Sequence, residues 1–153
     1  MKMNVFILLA AVFFDGLTLS AQTITDHENG KYSLSVGQVT LTVDASKGGK
    51  IISYRYDDKE ILSQTRMPNS FGSTFWTSPQ KEWNWPPVAE YDRKAFNAEV
   101  KGNVLVLTGE KSERFGYRVR KEFKADAKNN SIAITYTIVN ESGETRKVAP
   151  WEI

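Results

Sequence analysis

From Lys31 onward the chain alternates apolar and polar residues with a period of two, the mark of strands with one buried face. Tyr32, Leu34 and Val36 alternate with Ser33 and Ser35, and Val39, Leu41 and Val43 alternate with Thr40, Thr42 and Asp44. Gly37-Gln38 between the two runs predicts a hairpin, with glycine supplying the unusual φ of a tight connection. After Gly48-Gly49, the β-branched and aromatic run Lys50 to Tyr56 predicts a further strand. Asp57 to Lys59 reads as a polar turn and Glu60 to Leu62 as a short returning strand.

The pattern resumes in the second half. Ala95 to Lys101 predicts a weaker strand, and the continuous apolar run Val104 to Leu107 predicts one covered on both faces. Tyr117 to Ala125 alternates, with Tyr117, Val119 and Phe123 on one side of the pleat, and its basic run Arg118 to Lys124 reads as a solvated strand face. Ser131 to Asn140 carries the strongest strand signal, with Ile132, Ile134, Tyr136 and Ile138 in step; Glu141 to Glu144 turns it, and Thr145 to Trp151 begins another strand. No stretch predicts a helix of more than a turn or two. About eight or nine short strands at hairpin spacing predict an all-β fold, an antiparallel β-sandwich.

Between the two sets of strands lies a different kind of stretch, Phe71 to Pro87 (FGSTFWTSPQKEWNWPP), which holds three of the four tryptophans. It combines Trp76, Trp83 and Trp85 with Gln80, Lys81, Glu82 and Asn84, and is braced by Pro79, Pro86 and Pro87. Proline fixes φ and removes a backbone donor, so the stretch reads as a stiff, irregular loop rather than a strand interior. Flat aromatic faces beside amide and charged groups suit a polar ligand with apolar faces, such as a sugar ring. The competing reading is that the tryptophans only fill a core.

Composition narrows the setting. At 153 residues the chain has the length of about one domain. Lys2, the apolar run Val5 to Phe14 and the small residues Ser20 and Ala21 have the charge, core and exit of a secretory signal peptide. The expected division is a signal peptide over 1–21 and a β-sandwich domain over 22–153, periplasmic or secreted, with no membrane association after cleavage. There is no cysteine, so no disulfide stabilises the exported fold and no lipid-anchor cysteine follows the signal. The formal net charge of +2, with basic and acidic residues interspersed, gives no nucleic-acid footprint. A single histidine, His27, in the turn Asp26 to Gly30, and no cysteine leave no zinc site of the usual kinds and no Cys/His nucleophile. No cofactor is expected. The final residues, Val148 to Ile153, run apolar to the end, which reads as a strand lacking its partner. The expectation is therefore a fragment or truncated product, whose sheets are completed by a missing C-terminal half or an oligomer partner.

The succession GGKIISYRYDDKEIL, FGSTFWTSPQKEWNWPP and KEFKADAKNNSIAITYTIVNESGETRKVAPWEI resembles the N-terminal half of the DUF4380 group, uncharacterised bacterial proteins with a galactose mutarotase-like fold. The tryptophan and proline stretch is the most specific part of that resemblance. It implies a β-supersandwich, two large antiparallel sheets with a carbohydrate site on the concave one. Aldose epimerases of that fold use a histidine acid and a glutamate base. The place corresponding to the acid is Ala149 to Glu152, where Trp151 stands instead, and the base is expected in the missing half. Tryptophan does not exchange a proton in this way.

Three functions follow from these readings. The first is an exported carbohydrate-binding or glycan-related protein, in which Trp76, Trp83, Trp85 and Trp151 stack on sugar rings while Gln80, Glu82 and Glu152 contact hydroxyls. The second is a carbohydrate-active enzyme, aldose 1-epimerase-like, using carboxylates among Glu82, Asp92 and Glu152. The third is a structural or adhesive exported β-domain.

Overall fold

A computed structural model describes residues 21–65 and 71–152 of the chain. The signal-peptide reading falls almost entirely on residues 1–20, outside the described residues.

The alternation in the sequence becomes two antiparallel sheets. The first contains β1 (Gln22–Asp26), β2 (Lys31–Val36), β3 (Val39–Asp44), β4 (Lys50–Tyr56) and β5 (Lys59–Glu60), in that order. Leu34 faces Leu41 and Val36 faces Val39 across the β2–β3 pair, so one face is wholly apolar. The other carries hydroxyl ladders, Ser33 to Thr42 at 2.9 Å and Ser35 to Thr40 at 3.1 Å. Gly37 takes φ +54° in the tight turn, as the hairpin requires. A register shift at Thr42/Val43 then bends β3 against β4.

The second sheet contains β7 (Asn97–Lys101), β8 (Val104–Thr108), β9 (Tyr117–Asp126) and β10 (Ser131–Asn140), ordered β10-β9-β8-β7. Leu34, Leu41 and Val43 of the first sheet pack with Leu105, Leu107, Val119 and Phe123 of the second, which makes the architecture an antiparallel sandwich. Val106, on the opposite face of β8 from Leu105 and Leu107, is buried too, in agreement with a strand covered on both faces.

Four expectations need correction. Gln22–Asp26 is a strand that the turn-like Asp26 to Gly30 conceals, because only Thr-Ile-Thr carries its alternation. The returning strand ends at Glu60, and Ile61 is exposed. The tryptophan stretch is not irregular throughout: Phe75–Ser78 forms β6, paired antiparallel with β11 (Ala149–Glu152). All the stretch's prolines follow Ser78, so Phe75 to Ser78 keep every backbone donor. Finally, the basic run of β9 is not wholly solvated, since Lys121 is 1% exposed.

Helical structure among the described residues is short: a 3-10 turn at Gln80–Glu82 and α1 (Ala89–Asp92). Tyr91 of α1 and the following Phe96 enter the main core and anchor this connection to the sandwich.

Candidate tryptophan platform and the polar cluster behind it

Pairing of β6 with β11 sets Trp76 opposite Trp151 and Phe75 opposite Glu152. Successive side chains of a strand point to opposite faces, so the two tryptophans share one face and Phe75 shares the other with Glu152. Beyond Pro79 the 3-10 turn reverses the chain, its Gln80 carbonyl accepting from the backbone N–H of Trp83 and Asn84. Asn84 takes φ +59°, a conformation asparagine tolerates. The result is that Trp83 and Trp85 fold back onto Trp76.

Trp76 is thus the hub of all four tryptophans. Its ring centroid lies 5.8 Å from Trp83, 6.1 Å from Trp85 and 5.5 Å from Trp151, each in an edge-on arrangement. Edge-to-face pairs place the positive rim of one ring on the negative face of another. Trp83 is 3% exposed, with its indole N–H donated to the Thr77 carbonyl at 2.7 Å. It has no face left for a ligand and serves as support. Trp85 and Trp151 are 68% and 40% exposed, two large aromatic surfaces left in water.

The orientation of Trp76 is set from the side. Its indole N–H donates to Asp92 Oδ1 at 3.0 Å, and the same oxygen accepts from Lys50 Nζ at 3.3 Å. Lys50 is at the start of β4 and Asp92 at the end of α1, so this contact links platform, sheet and helix. Gly48 is pressed against the same place: a Cβ there would lie 2.2 Å from the Asp92 carbonyl oxygen.

On the inner face of β6 and β11 is a second cluster. Phase-shifted by one residue from the platform, Phe75 stacks on Tyr136 with centroids 5.2 Å apart. The Tyr136 hydroxyl donates to Glu152 Oε1 at 2.7 Å. Lys121 Nζ donates to the carbonyls of Gly48 at 2.9 Å and Gly49 at 3.3 Å, and lies 5.4–5.6 Å from the ring centres of Phe75, Phe96 and Tyr136. Burial pushes the Lys121 ammonium down to about 8; nearby Lys50 adds to this, while Glu152 and Asp92 oppose it. Burial also raises the Glu152 carboxyl above its ordinary value, against the pull of Tyr136, Lys121, Ser73 and Lys50. The Tyr136 phenol is raised by burial and by Glu152.

The sequence candidates therefore separate. Trp76, Trp83, Trp85 and Trp151 come together, although Trp83 is no contact surface. Glu152 is on the other face of its strand, bonded to Tyr136. Gln80 is exposed and contributes its carbonyl to the turn. Glu82 has its carbonyl held by Arg114 at 3.1 Å, and its carboxylate is near enough to the buried Tyr117 phenol to help burial raise that group. Gln80 thus meets Trp83 through the backbone of the turn, and Glu82 is held by Arg114. His27 donates or accepts at Ser33 Oγ, 2.7 Å away, on the exposed face of the first sheet. Asp92, Lys50 and Lys121 are the site residues that the sequence reading undervalued. For Lys121 the signal was present: it falls in step with Val119 and Phe123.

Elsewhere, a surface groove of about 510 Å³ is lined by Glu90, Lys94, Glu110, Arg118, Glu141 and neighbours. Its charges pair with one another: Lys94 bridges Glu90 and Glu110, and Arg118 meets Glu141 at 2.9 Å. Among the described residues no helix is long and apolar enough to cross a membrane.

No family model matches the chain, and no curated protein matches it. Among solved structures, a crystal structure of 4-alpha-glucanotransferase from Thermococcus litoralis is similar, at 14% identity and a TM-score of 0.47. The similarity covers 80% of this chain and 25% of that chain, so the present sequence spans about a quarter of that protein's length. A likeness at that level carries no statement about function.

Proposed function

We propose that this is an exported carbohydrate-binding protein of the galactose mutarotase-like kind, related to the DUF4380 group, that holds a glycan against the faces of Trp85 and Trp151. The observation that carries this reading is the exposure of those two indoles while both are fixed edge-on to Trp76. Large aromatic surfaces left in water mark interaction sites, and rigid ones lose little entropy on binding. Sugar rings offer an apolar C–H face for the indoles and hydroxyls for nearby polar groups. The test is a titration of the protein with a panel of soluble mono- and oligosaccharides, read by tryptophan emission and repeated with W85A and W151A. Saturable changes lost in both variants support the reading. No response to any sugar, or responses unchanged in the variants, removes it.

A second reading, a carbohydrate-active enzyme, is favoured by the Tyr136–Glu152 contact beside Lys121. Burial raises the Glu152 carboxyl above its ordinary value, the direction a general acid needs. Polarimetry on freshly dissolved glucose and galactose tests the epimerase form; a rate equal to the buffer blank, or one unchanged in E152Q, rejects it.

A further inference from the structure

Lys121 is a charged side chain buried in an apolar core at 1% exposure, and the proposed sugar contacts make no use of it. A buried cation is costly unless it is fully paired, so its surroundings indicate what it supports. The facing groups are Lys50 on β4, Asp92 on α1, Glu152 on β11 and Tyr136 on β10. Lys121 Nζ hydrogen-bonds to none of these four side chains. Its donors go instead to two backbone carbonyls, those of Gly48 and Gly49.

That choice fixes the turn immediately before Lys50. The turn is also held by Gly48 N–H donating to the Lys94 carbonyl at 2.8 Å, and Gly48 leaves no room for a side chain against Asp92. From the fixed turn Lys50 reaches Asp92, and Asp92 holds the indole N–H of Trp76. Trp76 in turn touches each of the other three tryptophans. Every link is a hydrogen bond, an ion pair, a ring contact or an adjacent residue, so the path is physically contiguous from the core to the surface.

We propose that Lys121 is the positioning residue of the tryptophan platform, acting through the Gly48–Gly49 turn, Lys50 and Asp92 to set the orientation of Trp76 and hence the spacing of Trp85 and Trp151. The functional weight of this inference rests on the sugar-binding reading, but the mechanical claim does not. It is tested without sugar.

The experiment uses protein labelled with 5-fluorotryptophan, its four ¹⁹F resonances assigned by single Trp→Phe variants. K121M removes the donors while keeping a long apolar stem, K121R restores donors, and K50M and D92N cut the path nearer the surface. In variants whose far-UV circular dichroism matches the parent, the expected result is a displaced Trp76 resonance in K121M, K50M and D92N. The Trp83 signal, anchored by the Thr77 carbonyl, moves less, and K121R returns Trp76 toward its parent position. If K121M or K121R does not fold, the platform end of the path, at Lys50 and Asp92, decides. A Trp76 resonance unmoved in K50M and D92N overturns the proposal, as does one unmoved in folded K121M. Loss of sugar binding with these shifts present, or sugar binding absent altogether, bears on the binding reading alone.

Discussion

Trp76 and Trp151 face each other across the β6–β11 pair, with ring centroids 5.5 Å apart and planes at 89°. Two strands far apart in the sequence thus meet in an aromatic contact. That contact, with Trp83 beneath and Trp85 beside it, gives the platform its rigidity.

Truncating the hub should destabilise the fold. W76A removes a half-buried indole that touches three others, and the expected loss is about 3 kcal/mol, the lower end for large aromatics because solvent reaches one side. Urea unfolding of W76A and parent checks this; a loss below about 0.5 kcal/mol would show that the cluster is not packed as described.

Trp85 should behave oppositely. With most of its surface in water, W85A is expected to change stability by no more than about 0.5 kcal/mol while abolishing sugar-dependent emission changes. Parallel melting and titration of the variant separate the two effects. A large melting shift would place Trp85 in the structural set with Trp83.

The turn glycine has its own prediction. Gly48 has φ +68° and no space for a Cβ against the Asp92 carbonyl, so G48A is expected to cost about 1–3 kcal/mol. G102A is the control, since Gly102 also has positive φ but no atom within 4 Å of a Cβ. Equal losses in both variants would mean that backbone strain alone, not the close approach, accounts for Gly48.

Lys121 makes stability depend on alkaline pH. Its folded value, about 8, is below the ordinary 10.5, so between these values the unfolded chain binds the extra proton. Stability therefore rises as pH increases from about 8 toward 10.5, and this contribution is lost as pH falls through 8, by roughly 3 kcal/mol at most. The neutral amine still has two N–H donors for the two glycine carbonyls, so the turn stays held. The measurement is the difference between parent and K121M unfolding free energies from pH 7 to 10.5. A difference that does not vary with pH contradicts the assignment.

Removing the hydroxyl from Tyr136 tests the inner cluster. The Tyr136 hydroxyl lowers the Glu152 carboxyl against the dominant effect of burial, so in Y136F that carboxyl should titrate at still higher pH. A side-chain carboxyl titration followed by NMR reads this directly, and a downward movement would refute the geometry at β11.

Most strands were legible because their patterns are local: β2, β3, β9 and β10 carry period-two alternation, β4 a β-branched and aromatic run, and β8 a continuous apolar run. The misreadings have specific causes. At Phe75 to Ser78 three downstream prolines obscured four residues with intact donors. At Lys121 a run of charges outweighed the alternation that places it beside Val119 and Phe123. The candidate site was legible only as composition. That Trp151 joins Trp76, and that Glu152 turns away toward Tyr136, depends on a strand register between distant segments that no local pattern encodes.

The β6–β11 pairing also has a consequence for the order of assembly. Trp76 and Trp151 are 75 residues apart (151 − 76), and contacts of such sequence separation form late because the intervening chain must first be organised. A chain emerging from the ribosome N-terminus first presents Trp76, Trp83 and Trp85 long before Trp151. Throughout that interval Trp76 lacks its cross-strand partner, and the face that Trp151 will cover is left to solvent.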